Sequence, residues 1–303
     1  MPSVELPTAL RTALVSAVAV LTDAGLDSPW VDAELLAAHV LGVPRGRLRL
    51  VDALTAEEHQ RYRELVTRRA TRVPLQHLTG TAPFRNLDLA VGPGVFVPRP
   101  ETELLVDWAL TRLSGLAAPV VVDLCSGSGA IALAVAEECP TATVYAVERD
   151  EQALSWLRRN AALRADGGDR PIEVVAADIA AVTEPGVLSA LVGHVDVVLC
   201  NPPYVPDGAA VGPEVAGHDP ALAVFGGPDG LAVIRQVIPQ AVRLLRSGGW
   251  LGMEHDDTHP VAVPDLLRTA GFADVADHRD LAGRPRFATG RWPAVGGLAD
   301  CTP

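Results

Sequence analysis

The sequence predicts an α/β fold, a parallel sheet covered on both faces, with a small helical domain in front of it. Three observations carry this. From residue 100 onward, short apolar runs alternate with helical segments, and runs such as VVVDL and VDVVLC are apolar throughout, as strands buried on both faces are. Residues 1–75 show helical spacing only, with few glycines or prolines inside the segments. Between the two, at 76–98, the pattern switches to alternation.

Taken in order, residues 8–24 place apolar side chains at helical spacing and stop at Gly25, a residue suited to the position after a helix. Ser28 before Pro29 reads as an N-cap with proline at the first helical position, and VDAELLAAHVLG then runs to Gly42. Thr55-Ala56-Glu57-Glu58 is a capping box that opens a third helix. In the linker, Leu87, Leu89 and Val91 alternate, Gly92-Pro93-Gly94 turns the chain, and Val95 and Val97 alternate again, which predicts a β-hairpin. Helix 101–113 precedes strand 120–124. A glycine loop leads into helix 130–138, strand 142–148, helix 151–163 and strands 172–178 and 195–200. After a proline-rich loop come helix 231–245, strand 250–255, a helix near 263–270, and strands near 273–280 and 284–292. Residues 293–303 read as a loose tail.

Composition narrows the function. The chain has 303 residues, 49% of them hydrophobic and 20% charged, ample to bury a core. Net charge is −12, which disfavours a sequence-blind nucleic-acid binder because such proteins need clustered cations. All 25 cations are arginine, so lysine Schiff-base chemistry and a P-loop lysine are excluded. Cys125, Cys139, Cys200 and Cys301 form no CxxC pair, so neither a disulfide framework nor structural zinc is expected, and a reducing cytoplasm fits best. The N-terminal apolar run carries Glu5 and reads as an amphipathic helix rather than a signal peptide, and no run is long enough to span a membrane. Residues 45–72 hold eight arginines against four acids. A solvated helix face is the plain reading; the sharper one is a docking patch for an acidic partner, including Arg61, Arg68 and Arg69.

Two constellations carry chemistry. Asp123-Leu124-Cys125-Ser126-Gly127-Ser128-Gly129 lies between a strand and a helix, where glycines permit a tight turn and close approach of a ligand to the backbone. Glu148 ends the next strand, 21 residues after Gly127, where an acid accepts the hydroxyls of a ribose. Ala132 replaces the third glycine of the dinucleotide fingerprint, so a pyrophosphate is not expected. Asp178 ends the following strand, where it can receive an exocyclic amine of adenine. Three acids at successive strand ends suit a cationic adenosine ligand. The plain reading is carboxylates capping the helices that follow.

The second constellation is Asn201-Pro202-Pro203-Tyr204, directly after an apolar strand. Consecutive prolines fix the backbone and leave the carbonyls of Asn201 and Pro202 available. A planar –NH₂ group has two N–H donors, which the Asn201 side-chain oxygen and the Pro202 carbonyl can accept while Tyr204 packs on its face. An ordinary proline-rich loop does not account for an Asn and an aromatic residue framing the pair.

Asn201-Pro202-Pro203-Tyr204 together with DLCSGSGAIALA resembles the class I S-adenosylmethionine-dependent methyltransferases that modify planar amino groups. The stretches GTAPFRNLDLAVGPGVFVPRPETELLVD, HDPALAVFGGPDGL and GRPRFATGR resemble the HemK/PrmC family, protein-(glutamine-N5) methyltransferases of peptide-chain release factors. The resemblance implies a seven-stranded, mostly parallel sheet over residues 99–292, joined through a β-hairpin linker at 76–98 to an N-terminal helical bundle at 1–75 that docks the protein substrate. It implies S-adenosyl-L-methionine as cofactor, and class 1 release factors, at the glutamine of their Gly-Gly-Gln motif, as substrate in translation termination. Cys125, Ser126, Gly127, Ser128 and Gly129 are then expected around the methionine end of the cofactor, Glu148 at its ribose, and Asp178 with Ile179 at its adenine. Asn201 is expected to touch cofactor and substrate, with Pro202, Pro203 and Tyr204 completing the clamp, and Asn201, Pro202 and Tyr204 as the catalytic set. Phe84, Arg99, Thr102 and Glu103 are expected to close over the cofactor. The family often has glycine where Cys125 stands and an aromatic residue at 179, so adenine packing differs here.

A cytoplasmic monomer with no metal, no direct nucleic-acid partner and no membrane association is expected. An N6-adenine nucleic-acid methyltransferase is the first alternative, since the same clamp suits adenine's amine, but it lacks a basic stripe on the catalytic half. Methylation of a glutamine in another protein is a further one. A nicotinamide-dependent oxidoreductase conflicts with the incomplete glycine fingerprint, and a binding module without catalysis conflicts with an intact Asn201 and Tyr204. His255-Asp256-Asp257-Thr258-His259 has the composition of a metal cluster, though a polar loop at the sheet's rim is the plainer reading. Cys125 and Cys200 end strands expected to be neighbours, as a thiol pair at the cofactor or simply as two small buried thiols. Gly226-Gly227-Pro228-Asp229-Gly230 is a mobile substrate loop or a turn.

Overall fold

The computed structural model describes residues 8–293, which form two units. The first comprises the described residues up to Thr81 together with 211–218; the second holds the remaining described residues. Of the expected tail, all but Pro293 lies outside the described residues.

The first unit is the helical bundle. It contains β1 (Thr8–Ala9), α1 (Leu10–Asp23), α2 (Pro29–Leu41), β2 (Ala53–Leu54), α3 (Ala56–Ala70) and α4 (Leu75–Thr79). The capping box forms in full: the Thr55 hydroxyl accepts from the Glu58 amide, and the Glu58 carboxylate accepts from the Thr55 amide. Gly25 and Gly42 take the left-handed conformation that ends each of the first two helices. Leu21, Leu36, Leu54 and Tyr62 fill the core, and the Tyr62 hydroxyl donates to the Ala33 carbonyl.

One arginine of the expected basic face is not on the surface. Arg69 is buried, donating from Nε to Asp32 at 2.6 Å, from Nη1 to the Val73 carbonyl at 3.0 Å, and from Nη2 to Glu214 at 2.6 Å. Its three-way pairing satisfies a charge that would otherwise be stranded. Glu214 belongs to the short helix at 213–218, which the chain contributes to this unit from the loop after Tyr204. Arg61 and Arg68 are exposed.

The hairpin, which the second unit holds from Ala82 onward, is displaced from its expected place. Its strands are β3 (Thr81–Phe84) and β4 (Leu87–Ala90), turning at Arg85, whose φ is +52°. Val95 and Val97 are not in a strand but are buried with Ala82, Val91 and Ala153, so burial alone accounts for their alternation. Then follow α5 (Glu103–Leu113), β5 (Val120–Leu124), α6 (Ala130–Glu138), β6 (Thr143–Glu148), α7 (Glu151–Asp166), β7 (Glu173–Ala176) and β8 (Val195–Cys200). The 213–218 helix is α8 (Pro213–His218), and after it come α9 (Ala221–Val224), α10 (Ala232–Leu244), β9 (Leu245–Glu254), α11 (Ala262–Thr269), β10 (Ala273–Arg279) and β11 (Pro285–Arg291).

The seven strands form one sheet in the order β10-β11-β9-β8-β5-β6-β7. Strands β7, β6, β5, β8 and β9 are parallel; β11 lies antiparallel between β9 and β10. Successive residues of β5 point to opposite faces, so Val121 joins the core under α5 and α6 while Val122 and Leu124 join the core under α10 and α11. Both faces are covered, which is why these strands read as unbroken apolar runs.

Candidate active site

Strand order reverses between β5 and β8, whose residues Leu124 and Cys200 lie opposite one another. In open parallel sheets the carboxyl ends of two such strands open a crevice that receives ligands. Both sequence constellations are there: Asp123 to Gly129 leaves β5, and Asn201 to Tyr204 leaves β8.

The β5 loop turns through three left-handed residues, Cys125 (φ +60°), Gly127 (φ +56°) and Gly129 (φ +87°). A glycine at 125 would adopt this backbone without strain, whereas Cys125 holds it at a cost. The loop is held from below. The Ser126 amide donates to Val147, and the Asn160 carboxamide donates to the Ser128 carbonyl at 2.9 Å. Asn160 is buried on α7 and also exchanges two hydrogen bonds with the backbone of Ala90.

Asp123 is fully buried, and neither oxygen of its carboxyl has a hydrogen-bond partner. The nearby Ser126 hydroxyl donates to its backbone carbonyl instead. Burial pushes the Asp123 carboxyl up to about 7. Glu148 is aimed at the loop: one oxygen accepts from the Gly127 amide at 2.9 Å, the other from the amides of Arg149 and Asp150 at 2.8 Å. Asp178 accepts from Arg149 at 2.8 Å and from the Ala180 amide at 2.9 Å, and the guanidinium holds its carboxyl below the usual range. Ile179 is buried beside Val147 and Val182.

On the β8 side, the Asn201 carboxamide donates from Nδ2 to the Thr102 hydroxyl at 3.2 Å. Glu254, at the end of β9, is buried, its Oε1 has no hydrogen-bond partner, and burial pushes its carboxyl up to about 7. No hydrogen bond among the described residues ends on the Pro202 carbonyl. Tyr204 packs against the core; burial and the neighbouring Glu254 push the phenol well above its ordinary value.

The loop is buttressed from behind by the 226–230 turn. Val205 accepts from the Gly226 amide at 2.9 Å and donates to Val224 at 3.0 Å. A Cβ on Gly226 would lie 2.5 Å from the Pro203 carbonyl oxygen, and one on Gly230 would collide with that of Tyr204. The turn reading of these glycines therefore fits the structure, and close backbone approach explains them.

The four residues expected to close over the cofactor divide. Phe84 is buried in the core with Leu87 and Leu105, and the Glu103 carboxylate accepts from the Arg85 amide, so both serve packing. Arg99 pairs with Asp219 at 2.8 Å, and Thr102 meets Asn201. The Cys200 thiol is buried at the end of β8, where its register partner is Leu124, the residue before Cys125. His255 is buried between the Asp256 carbonyl and Asp277, each at 2.8 Å, and among the described residues no group of three His, Cys, Asp or Glu side chains is placed to hold a metal.

Asn160, which ties the glycine loop, and Glu254, buried at the end of β9, carry weak signals in the sequence. The one signal for Asn160 is a carboxamide on the otherwise apolar face of a helix; for Glu254, an acid closing an apolar strand.

The sheet order and the two loops at its switch point are those of class I S-adenosylmethionine-dependent methyltransferases. The methyltransferase small domain family matches residues 86–217, and the PrmC N-terminal domain family matches residues 12–80. Among solved structures, the hMettl16 catalytic domain in complex with the MAT2A 3'UTR hairpin 6 shares the fold, with a TM-score of 0.53 and 15% identity over 76% of this chain and 82% of that one. The chain is 52% identical to the release factor glutamine methyltransferase of Mycolicibacterium smegmatis over 283 residues, 93% of this chain and 97% of that one. It is 49% identical to that of Streptomyces coelicolor over 89% of this chain and 94% of the relative. The chain belongs to the release factor glutamine methyltransferase family.

Proposed function

We propose that this enzyme transfers a methyl group from S-adenosyl-L-methionine to the side-chain amide nitrogen, N5, of the glutamine in the Gly-Gly-Gln motif of class 1 release factors. The observation that carries the reading is the orientation of Asn201. With Nδ2 committed to Thr102, its free Oδ1 is an acceptor, which suits an –NH₂ donor.

The residues present fit the cofactor. The buried, unpartnered carboxyl of Asp123 is a place for a cation at the methionine end, next to the left-handed turn from Cys125 through Ser126, Gly127 and Ser128 to Gly129. Glu148 is set to accept ribose hydroxyls in place of the Gly127 amide, and Asp178 with Ile179 to border adenine. When bound, S-adenosyl-L-methionine supplies a sulfonium methyl group that a nucleophile can take.

An amide nitrogen is a poor nucleophile because its lone pair is delocalised into the carbonyl. Asn201 Oδ1 and the Pro202 carbonyl would accept its two N–H bonds, which orients the nitrogen and stabilises the positive charge that develops on it. Tyr204, packed against the core, would wall one face of the planar group, and Pro203 would keep the loop rigid. In this reading the rate comes from positioning and electrostatics.

The test is transfer of labelled methyl from S-adenosylmethionine to unmodified release factor, beside a Gly-Gly-Ala variant and duplex DNA. Label on the wild-type factor alone is the expected result. Label on DNA, or equal label on the Gly-Gly-Ala variant, overturns the substrate assignment.

A further inference from the structure

We propose that Arg85 is a positioning residue for the acceptor amide: from the hairpin turn it pins the first residue of α5, and so sets where the Thr102 hydroxyl meets Asn201. The inference rests on the reading of Asn201 above and deepens it.

Thr102 stands at the N-cap position of α5, where a threonine hydroxyl ordinarily accepts a backbone N–H of the first turn. Here it makes no such bond and accepts from Asn201 Nδ2 at 3.2 Å instead. Helix ends without a cap fray, so the start of α5 needs another hold. Arg85 supplies it at the neighbouring residue, Glu103. Its amide donates to the Glu103 carboxylate at 2.9 Å, and Nη1 donates to the Glu103 carbonyl at 3.1 Å. Nη1 also pairs with Asp107, one turn further along α5, at 2.8 Å. Nε and Nη2 donate to the two carboxylate oxygens of Glu138 at the end of α6, the second at 2.8 Å. All three guanidinium nitrogens are engaged, and the side chain is 14% exposed, so solvent competes little for these bonds.

The backbone at Arg85 runs at φ +52°, where a glycine would sit without strain and an arginine does not. A glycine there would relax the turn and lose every side-chain tie to α5 and α6. From the other side, Arg99 pairs with Asp219 at 2.8 Å, and its carbonyl accepts from the Thr102 amide at 3.1 Å. Thr102, itself buried, thus sits between two anchored residues, Arg99 and Glu103. Its hydroxyl is the only hydrogen-bond partner of the Asn201 side chain among the described residues. A shift at the start of α5 is therefore passed to the Asn201 carboxamide, and through Oδ1 to the nitrogen whose N–H it would accept.

The experiment compares full-length wild type with Arg85→Met, Arg85→Lys, Thr102→Val, Arg85→Met combined with Thr102→Val, and Leu87→Ala, using release factor as substrate. Arg85→Met should lower kcat about 10-fold and Thr102→Val about 100-fold, the scale of a mispositioned reacting group. KM for release factor and affinity for S-adenosylhomocysteine, read by isothermal titration, should not change. In the combined variant Arg85→Met should lower kcat by less than about two-fold more, since its route to Asn201 is already cut. Arg85→Lys keeps a cation beside Glu138 but lacks the fork that also reaches Glu103, so it should fold as wild type does and lose kcat as Arg85→Met does. Leu87 is buried in the same hairpin and holds it by packing, so Leu87→Ala should lower Tm and leave kcat within about two-fold of wild type. Wild-type kcat in Arg85→Lys or Thr102→Val, fully additive losses in the combined variant, or an equal loss of kcat in Leu87→Ala would each overturn the proposal. If thermal unfolding shows that Arg85→Met does not fold, Arg85→Lys with and without Thr102→Val makes the same comparison. Asn201→Ala separates the two levels: if it is inactive while Arg85→Lys is normal, only the positioning role fails, and if it is fully active, the assignment of Asn201 itself fails.

Discussion

Asn160 holds the glycine loop by a single bond to Ser128, its Nδ2 donating to the Ser128 carbonyl at 2.9 Å from the buried face of α7. The same side chain pairs with both backbone groups of Ala90, after the hairpin turn. One carboxamide thus satisfies three buried backbone groups and fixes the loop relative to the helix below it. Asn160→Leu leaves all three unpaired at about 1–3 kcal/mol each. Chemical denaturation should show a loss of several kcal/mol, and cofactor affinity should fall with it. Unchanged stability would mean that the loop holds its shape without this tie.

Asp123 should make the ligand-free protein's stability depend on pH. Its folded-state carboxyl is raised to about 7 by burial, so the fold favours the neutral form. That contribution is complete below the unfolded value of about 4 and is lost as pH rises through the folded value. Between the two the native state binds more protons, and stability falls with increasing pH. Asp123→Asn should flatten the decline of Tm between mildly acidic and mildly basic pH. A cationic cofactor favours the ionised form, so its affinity should rise across the same window in wild type and not in the variant.

Arg69 is a buried charge with two acidic partners, Asp32 and Glu214, each at 2.6 Å. Arg69→Met removes the cation and strands Asp32, at a cost of about 3–5 kcal/mol. Arg61→Glu and Arg68→Glu, on exposed positions, should change stability by less than about 0.5 kcal/mol. Urea denaturation of the three variants distinguishes a structural arginine from surface ones; equal effects would contradict the burial argument.

The turn behind the Asn201–Tyr204 loop has no room for a side chain at two positions. Gly226→Ala places a methyl group 2.5 Å from the Pro203 oxygen, and the loop must yield. Because that loop leaves β8 while the glycine loop leaves β5, turnover should drop by about 100-fold with cofactor affinity retained. Isothermal titration with S-adenosylhomocysteine beside a methyl-transfer assay makes the comparison. A parallel loss of both would indicate that the whole crevice collapses.

What was legible in the chain followed from short-range chemistry. Apolar runs such as residues 195–200 mark strands because a parallel sheet with helices on both faces leaves no polar side, and the Thr55–Glu58 box marks a helix start because both bonds span three residues. Alternation at Val95 and Val97 mimics a strand, although burial alone produces it, so spacing puts the hairpin too late in the chain. The Arg69 cluster is invisible to local pattern because its partners Asp32 and Glu214 lie 37 and 145 residues away in sequence.

The sequence by itself determined the class of fold, the glycine turn after β5, and the Asn-Pro-Pro-Tyr loop after β8, since each depends on conformational preferences of adjacent residues. Only the tertiary structure decided which end of the Asn201 carboxamide is free, that Asp123 has no partner, and what holds each loop in place. Those outcomes depend on hydrogen bonds between residues far apart in the chain, such as Thr102 with Asn201 and Asn160 with Ser128, and on burial that shields them from water. Spacing along a chain specifies which groups are available, and packing specifies which of them remain unpaired.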